Sequence, residues 1–260
     1  MNDFSGNGFS GSDSAGSDSA GPDGARLEVL RANLTAVEQR IAAACAAAAR
    51  PRTDVTLIVV TKTYPAADTR LLSGLGITDV AENRDQDAAP KAVECKDLPL
   101  LWHFVGQLQT NKVRSVLKYA DRVHSIDRLR LVSALSAEVL KTGRPELGCL
   151  IQVALEGDPV ATRGGAVPAD VPALAEALAA APGLRLDGVM AVAPLTGPDA
   201  GRPRRAFERL AEISSRLRRD HPAATMVSAG MSGDLEEAVE TGATHVRVGT
   251  AVLGVRPPLG

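Results

Sequence analysis

This 260-residue chain has no apolar run approaching the roughly 20 residues that a membrane-spanning helix needs. Aromatic residues make up only 3% of it. That argues against a stacking platform for nucleic acid. The formal net charge is −2, too small to draw the chain toward nucleic acid or an anionic membrane. Three cysteines, Cys45, Cys95 and Cys149, have no metal-ligand spacing and cannot all pair. They read as small buried or semi-buried residues of a reducing cytoplasm. No cluster of His and Cys points to a metal, and no G-x-S-x-G points to a hydrolase. The N-terminus lacks a basic stretch followed by an apolar core, so no secretory leader is expected. Lysine is scarce as well, with six against 23 arginines.

What is present fits one large α/β domain, with 45% hydrophobic and 23% charged residues. Residues 1–24 are mostly Gly, Ser, Asp, Asn and Ala and read as a tail too polar to build a core. The folded domain is therefore expected to be 25–260. Leu27, Leu30, Leu34, Val37 and Ile41 recur at helical spacing, and the alanine run to Ala49 continues the pattern until Pro51. Short apolar strands then alternate with helical stretches. The strands are expected at 54–61, 78–81, 100–105, 122–126, 148–154, 186–192, 225–229 and 244–248. The helices are expected at 66–75, 84–93, 109–118, 128–141, 170–181, 202–219 and 233–241. This order predicts a (β/α)8 TIM barrel. Little chain follows the last strand, so the N-terminal helix at 25–49 is expected to cover the face an eighth helix would cover. An open doubly wound sheet is the other fold considered. It is disfavoured because no G-x-G-x-x-G follows the first strand.

In a barrel of this kind, active sites form at the C-terminal ends of the strands. The first strand ends at Lys62, the only lysine that directly follows a buried apolar run. An amine there can form a Schiff base with an aldehyde. The seventh loop holds Ser228, Gly230, Ser232 and Gly233, with Ser232 a candidate cap for the helix after it. The eighth strand ends Arg247-Val248-Gly249-Thr250. Glycines let backbone N–H groups approach an anion, and Ser, Thr and Arg add donors. Pyridoxal 5′-phosphate (PLP) is a molecule that needs both the amine and the phosphate cradle. Asn83, after the second strand, is expected either to touch the cofactor or Lys62, or to cap the next helix. His103 reads first as a satisfied core residue. The arginines of 202–219 read as the solvated face of an outer helix.

Several segments together resemble one family. They are Val59-Val60-Thr61-Lys62-Thr63, Glu82-Asn83-Arg84-Asp85-Gln86, the run from Trp102 to Lys112, and Ser125-Ile126-Asp127. Ser228-Ala229-Gly230-Met231-Ser232-Gly233-Asp234-Leu235-Glu236 and Val246-Arg247-Val248-Gly249-Thr250-Ala251 complete the set. The chain resembles the YggS/PROSC-type pyridoxal phosphate homeostasis proteins, whose barrel is the fold-type III PLP-binding barrel of the alanine racemase N-terminal domain. The resemblance implies PLP bound to Lys62 as a Schiff base. It places Ser228, Ser232, Arg247, Gly249 and Thr250 around the phosphate or the ring nitrogen. It also implies a cytoplasmic carrier or regulator of vitamin B6. Such a protein would be a monomer with no strong turnover, exchanging PLP with apoenzymes or meeting amino acids. The alternative is a PLP-dependent racemase-like enzyme, which needs a second base opposite the lysine. Neither tyrosine, Tyr64 or Tyr119, is evidently placed for that in the sequence. A PLP-free barrel enzyme acting on a phosphorylated sugar or an indole is the remaining reading.

Overall fold

The computed structural model describes residues 22–155, 164–197 and 199–255. Most of the proposed tail, 1–21, lies outside them, as do the last five residues. The N-terminal helix α1 spans Pro22–Ala47, so it starts before the expected boundary and takes in Asp23 and Gly24. Strands then alternate with helices. The strands are β1 (Thr56–Val60), β2 (Asp79–Glu82), β3 (Leu101–Phe104), β4 (Arg122–Ile126), β5 (Leu147–Gln152), β6 (Leu184–Met190), β7 (Met226–Ser228) and β8 (His245–Val248). Between and after them run α2 (Ala66–Gly74), α3 (Asp85–Glu94), α4 (Val113–Val116), α5 (Leu129–Thr142), α6 (Val171–Ala180), α7 (Pro203–Asp220), α8 (Leu235–Glu240) and α9 (Thr250–Leu253). All neighbouring strands pair in parallel, and β8 closes on β1, with Ile58 opposite Arg247. The expected barrel is therefore the observed one.

Strand residues alternate between two environments. The outward set is apolar. Trp102, Val123, Cys149, Ile151, Val189, Val227, Val246 and Val248 pack under the helices. The helix α9 after β8 has only four residues. Leu30, Leu34, Val37 and Ile41 of α1 fill that place, packed with Val246, Val248, Val252 and Leu253. Arg40 of α1 pairs with Glu236 and donates to the Ser232 carbonyl at 3.0 Å. Burying four aliphatic side chains is worth about 1.5–3 kcal/mol each by transfer, which explains why a helix outside the repeat is retained.

The inward set is unusual. Barrel interiors are generally filled by branched aliphatics. Here Ile58, Leu150, Met190 and Met226 share the interior with Asp79, His103, His124, Ser228, His245 and Arg247. His103 Nε2 lies 2.9 Å from Asp79 Oδ1, and its Nδ1 lies 2.8 Å from His124 Nε2. His124 Nδ1 lies 3.0 Å from Ser228 Oγ. His103 is thus a core residue, but one with both ring nitrogens bonded to other buried polar groups. Burial lowers the pKa of all three imidazoles, that of His245 to about 4. Burial also pushes the Asp79 carboxyl up, but hydrogen bonds from His103 and Thr78 outweigh it and hold it below its usual value.

A second buried polar group pins the end of β1. Lys91 of α3 is ion-paired with the fully buried Glu82, and its Nζ donates to the Thr61 carbonyl at 2.7 Å. The Thr61 hydroxyl donates to the same carboxylate at 2.7 Å. The residue preceding Lys62 is therefore held through its backbone and its side chain.

Two expectations follow. A histidine whose folded pKa lies below its unfolded value of about 6.5 favours the fold above that pH and loses the contribution as pH falls. The unfolding free energy should be flat above neutrality and decline from about 6.5 toward 4, by at most ~1.4 kcal/mol per pH unit for each histidine. Urea unfolding across that range checks it, and stability that rises on acidification contradicts it. Lys91→Met should leave the Glu82 carboxylate buried and unpaired, at a cost of about 3–5 kcal/mol measured by the same method.

Candidate cofactor site

The C-terminal mouth of the barrel holds a cavity of about 420 Å³, within the usual range for small-ligand sites. Lys62, Asn83, Ser232, Arg247, Gly249 and Thr250 all line it, so six of the residues read from the sequence converge on one space. Val105, Met190, Val192 and Met231 supply its apolar walls.

Lys62 follows β1 in a turn closed by the Tyr64 N–H donating to the Thr61 carbonyl at 3.1 Å. The next residue, Thr63, has φ 69°. A β-branched residue in that region is strained by about 1–3 kcal/mol, and such strain collects at ligand sites. Lys62 also borders a second cavity of about 150 Å³, beside Tyr64 and Gly254.

The loops after β7 and β8 are joined to each other. The Ala251 N–H donates to Ser232 Oγ at 3.2 Å. Ser232 is therefore not the cap expected for the following helix, because α8 starts only at Leu235. Asp234 binds the loop instead, its Oδ1 accepting from the Met231 N–H at 2.6 Å. Gly249 lines the mouth where a Cβ would sit 3.2 Å from the Val60 carbonyl oxygen. A side chain there would crowd the end of β1, so glycine keeps this wall open.

Two of the expected residues do not line the cavity, and of the two readings of Asn83 the capping one falls away. Ser228 does not line the cavity. It is fully buried, and its hydroxyl is occupied between Arg247 and His124. Gly230 does not line it either. With φ 88° and a Cβ position 2.6 Å from the Ala238 side chain, it lets the loop pack tightly on α8. Asn83 does not cap α3, whose N-cap is Arg84 without a side-chain bond. Sequence reasoning missed His124 and Asp79 altogether. The available signal was their inward position on strands whose outward residues are apolar.

Arg247 is the electrostatic centre of the mouth. It is 4% exposed, and burial lowers its pKa to about 10. One Nη donates to Ser228 Oγ at 2.6 Å, the other to the Ala191 carbonyl at 2.9 Å. No carboxylate pairs with it among the described residues. A buried cation bonded only to neutral acceptors, at the floor of an open cavity, suits an electron-rich ligand atom or an anion. An amine at the rim, a cation on the floor and hydroxyl-bearing glycine loops on one wall fit a phosphorylated aldehyde.

Comparison with known proteins agrees with that chemistry. A family model described as alanine racemase, N-terminal domain matches residues 32–257. The pyridoxal phosphate homeostasis protein of Pseudomonas aeruginosa is 41% identical over 230 residues, covering 88% of this chain and 97% of that protein. The protein of the same name from Mycobacterium leprae is 41% identical over 238 residues, covering 85% and 90%. The structure of PipY from Synechococcus elongatus with PLP bound superposes with a TM-score of 0.71 at 34% identity, over 82% of this chain and 100% of that one. With the barrel, the mouth and these relatives in agreement, the chain belongs to the pyridoxal phosphate homeostasis proteins of the alanine racemase N-terminal domain family.

Proposed function

We propose that this chain holds PLP in the barrel mouth and acts as a carrier or regulator in vitamin B6 homeostasis, in the cytoplasm and as a monomer. The observation that carries the proposal is the convergence of Lys62, Arg247 and the two joined loops on one cavity. Lys62 is the point of covalent attachment, through a Schiff base with the cofactor aldehyde. Ser232, Gly249 and Thr250 sit on the rim and take the phosphate. Arg247 points inward from β8, two residues before Gly249, and takes the ring nitrogen. Asn83 lies across the mouth and orients the ring.

A carrier rather than a catalyst is supported by the wall of the cavity. Among the described residues lining it, Lys62 and Arg247 are the titratable ones. Proton transfer on two faces needs a second base. Tyr64 donates its hydroxyl to the Gly254 carbonyl at 2.7 Å, beneath the guanidinium of Arg26. Tyr119 packs edge-on against Trp102 outside the strands, and burial raises its pKa. The bound cofactor supplies an electrophilic aldehyde that any accessible amine of an apoenzyme or an amino acid can capture. This chain's residues hold the cofactor and leave the exchange side open.

Borohydride reduction followed by peptide mapping should place the pyridoxyl group on Lys62. Lys62→Ala should abolish both the label and the visible absorbance band. Label on Lys112 or another lysine would overturn the assignment. α-Proton exchange in deuterated water, with L- and D-alanine and a panel of other amino acids, should remain far below enzyme rates of about 1–10³ per second. Turnover in that range, lost in Lys62→Ala, would make the chain an enzyme.

The phosphate wall has its own measurement. Ser232→Ala or Thr250→Val should each weaken PLP retention by about 1–3 kcal/mol. Pyridoxal, which lacks the phosphate, should bind much less tightly than PLP in equilibrium dialysis. Equal retention of the two would show that the loops do not grip phosphate.

A further inference from the structure

Five buried groups on five strands form one continuous chain of hydrogen bonds through the barrel interior. It runs Asp79 (β2), His103 (β3), His124 (β4), Ser228 (β7) and Arg247 (β8), with links of 2.9, 2.8, 3.0 and 2.6 Å. None of the five is more than 8% exposed. The two ends fix the direction of every proton between them. A guanidinium can only donate and an ionised carboxylate can only accept. Arg247 donates to Ser228 Oγ, which leaves the single Ser228 hydroxyl proton for His124 Nδ1. His124 then carries its proton on Nε2 and donates to His103 Nδ1. His103 carries its proton on Nε2 and donates to Asp79. In this arrangement every link is satisfied and both imidazoles are neutral. The opposite direction would leave a neutral His103 facing a carboxylate with a lone pair.

We propose that Asp79, His103, His124 and Ser228 act as a positioning chain that fixes Arg247 against the ring nitrogen of the bound cofactor. The proposal rests on the reading of the mouth as a PLP site. Without the chain, Arg247 has the Ala191 carbonyl as its one remaining protein partner named above. Its guanidinium is otherwise free to swing toward the phosphate wall, because both Ser232 and Thr250 share the cavity with it. The chain resists that motion. Ser228 cannot rotate away from Arg247 without breaking its bond to His124, and His124 cannot turn without breaking its bond to His103. Each group is a single-point contact, and the order of the whole set comes from its two charged ends. The distant carboxylate thereby affects the cofactor through the orientation of intervening dipoles, with no contact of its own.

The test uses PLP-loaded full-length protein, with three readings. These are the position of the visible band, the ¹⁵N shift of ring-labelled PLP, and the dissociation constant by equilibrium dialysis. His124→Leu removes the partner of Ser228. It should shift the band and the ¹⁵N signal, and weaken binding about tenfold, as expected for a lost hydrogen bond to a charged system. His124→Asn keeps an acceptor where Nδ1 stood. It should restore the band and the affinity only in part, because it cuts the link to His103 and Asp79. Asp79→Asn should shift the band in the same direction by a smaller amount, and that effect should vanish in the His124→Leu background.

Lower thermal stability in both His124 variants, with band and affinity unchanged in the folded protein, would overturn the proposal and leave only a packing role. A shifted band in His124→Leu that His124→Asn does not move back at all would overturn the role of the Ser228 contact, and full restoration by His124→Asn would overturn the roles of His103 and Asp79. Additive effects of Asp79→Asn and His124→Leu would break the chain at His103. If the unaltered protein retains no PLP on Lys62, it is the underlying site reading that fails. If it retains PLP and His124→Leu changes no spectrum, the site stands and the positioning chain fails alone.

Discussion

A guanidinium placed inside a barrel has to be surrounded before the barrel can close around it. Removing such a charge from water costs several kcal/mol even after relaxation. Arg247 has no carboxylate beside it among the described residues, so neutral acceptors must do the solvating. The Ser228 hydroxyl and the Ala191 carbonyl do so from the protein side. The cavity supplies the remaining space. This need explains why the interior departs from aliphatic filling. Once Ser228 is committed to Arg247, its proton needs an acceptor, and His124 provides one. His124 in turn needs His103, and His103 needs Asp79. One buried charge near the mouth thus determines side chains down to the first residue of β2.

The outer architecture was legible because it rests on period and order. Short apolar runs rich in β-branched residues, such as 54–61, read as buried strands, and the stretches between them have helical spacing. Lys62 stood out because it is a lone amine after such a run. The glycines and hydroxyl residues of the last two loops stood out because that combination serves anions. Boundaries are less legible. α1 begins at Pro22 because proline is well tolerated in a first helical turn, and the polar residues Asp23 and Gly24 masked that start.

The interior chain was much harder to read. His103 and His124 are 21 residues apart in sequence, and no local pattern shows that they face one another. Ser228 looked like a phosphate ligand since serine does either job equally well. Its orientation is set by Arg247 and His124, which are distant in sequence and close only after closure. The same holds for Gly230, where the sequence shows a glycine beside an anion loop but cannot show the Ala238 methyl group that requires it.

The helix α1 precedes the barrel in sequence, yet it packs on the barrel's last elements. Leu30, Leu34, Val37 and Ile41 meet Val246, Val248, Val252 and Leu253. Arg40 holds the carbonyl of Ser232 in the seventh loop. These contacts span almost the whole chain, and long-range contacts form late because loop closure must come first. During synthesis the first helix therefore waits for its partner surface until β8 and α9 have emerged. The seventh loop, the proposed phosphate wall, gains the Arg40 contact only at that meeting. A nascent chain carries Lys62 long before the cavity that this residue lines has closed.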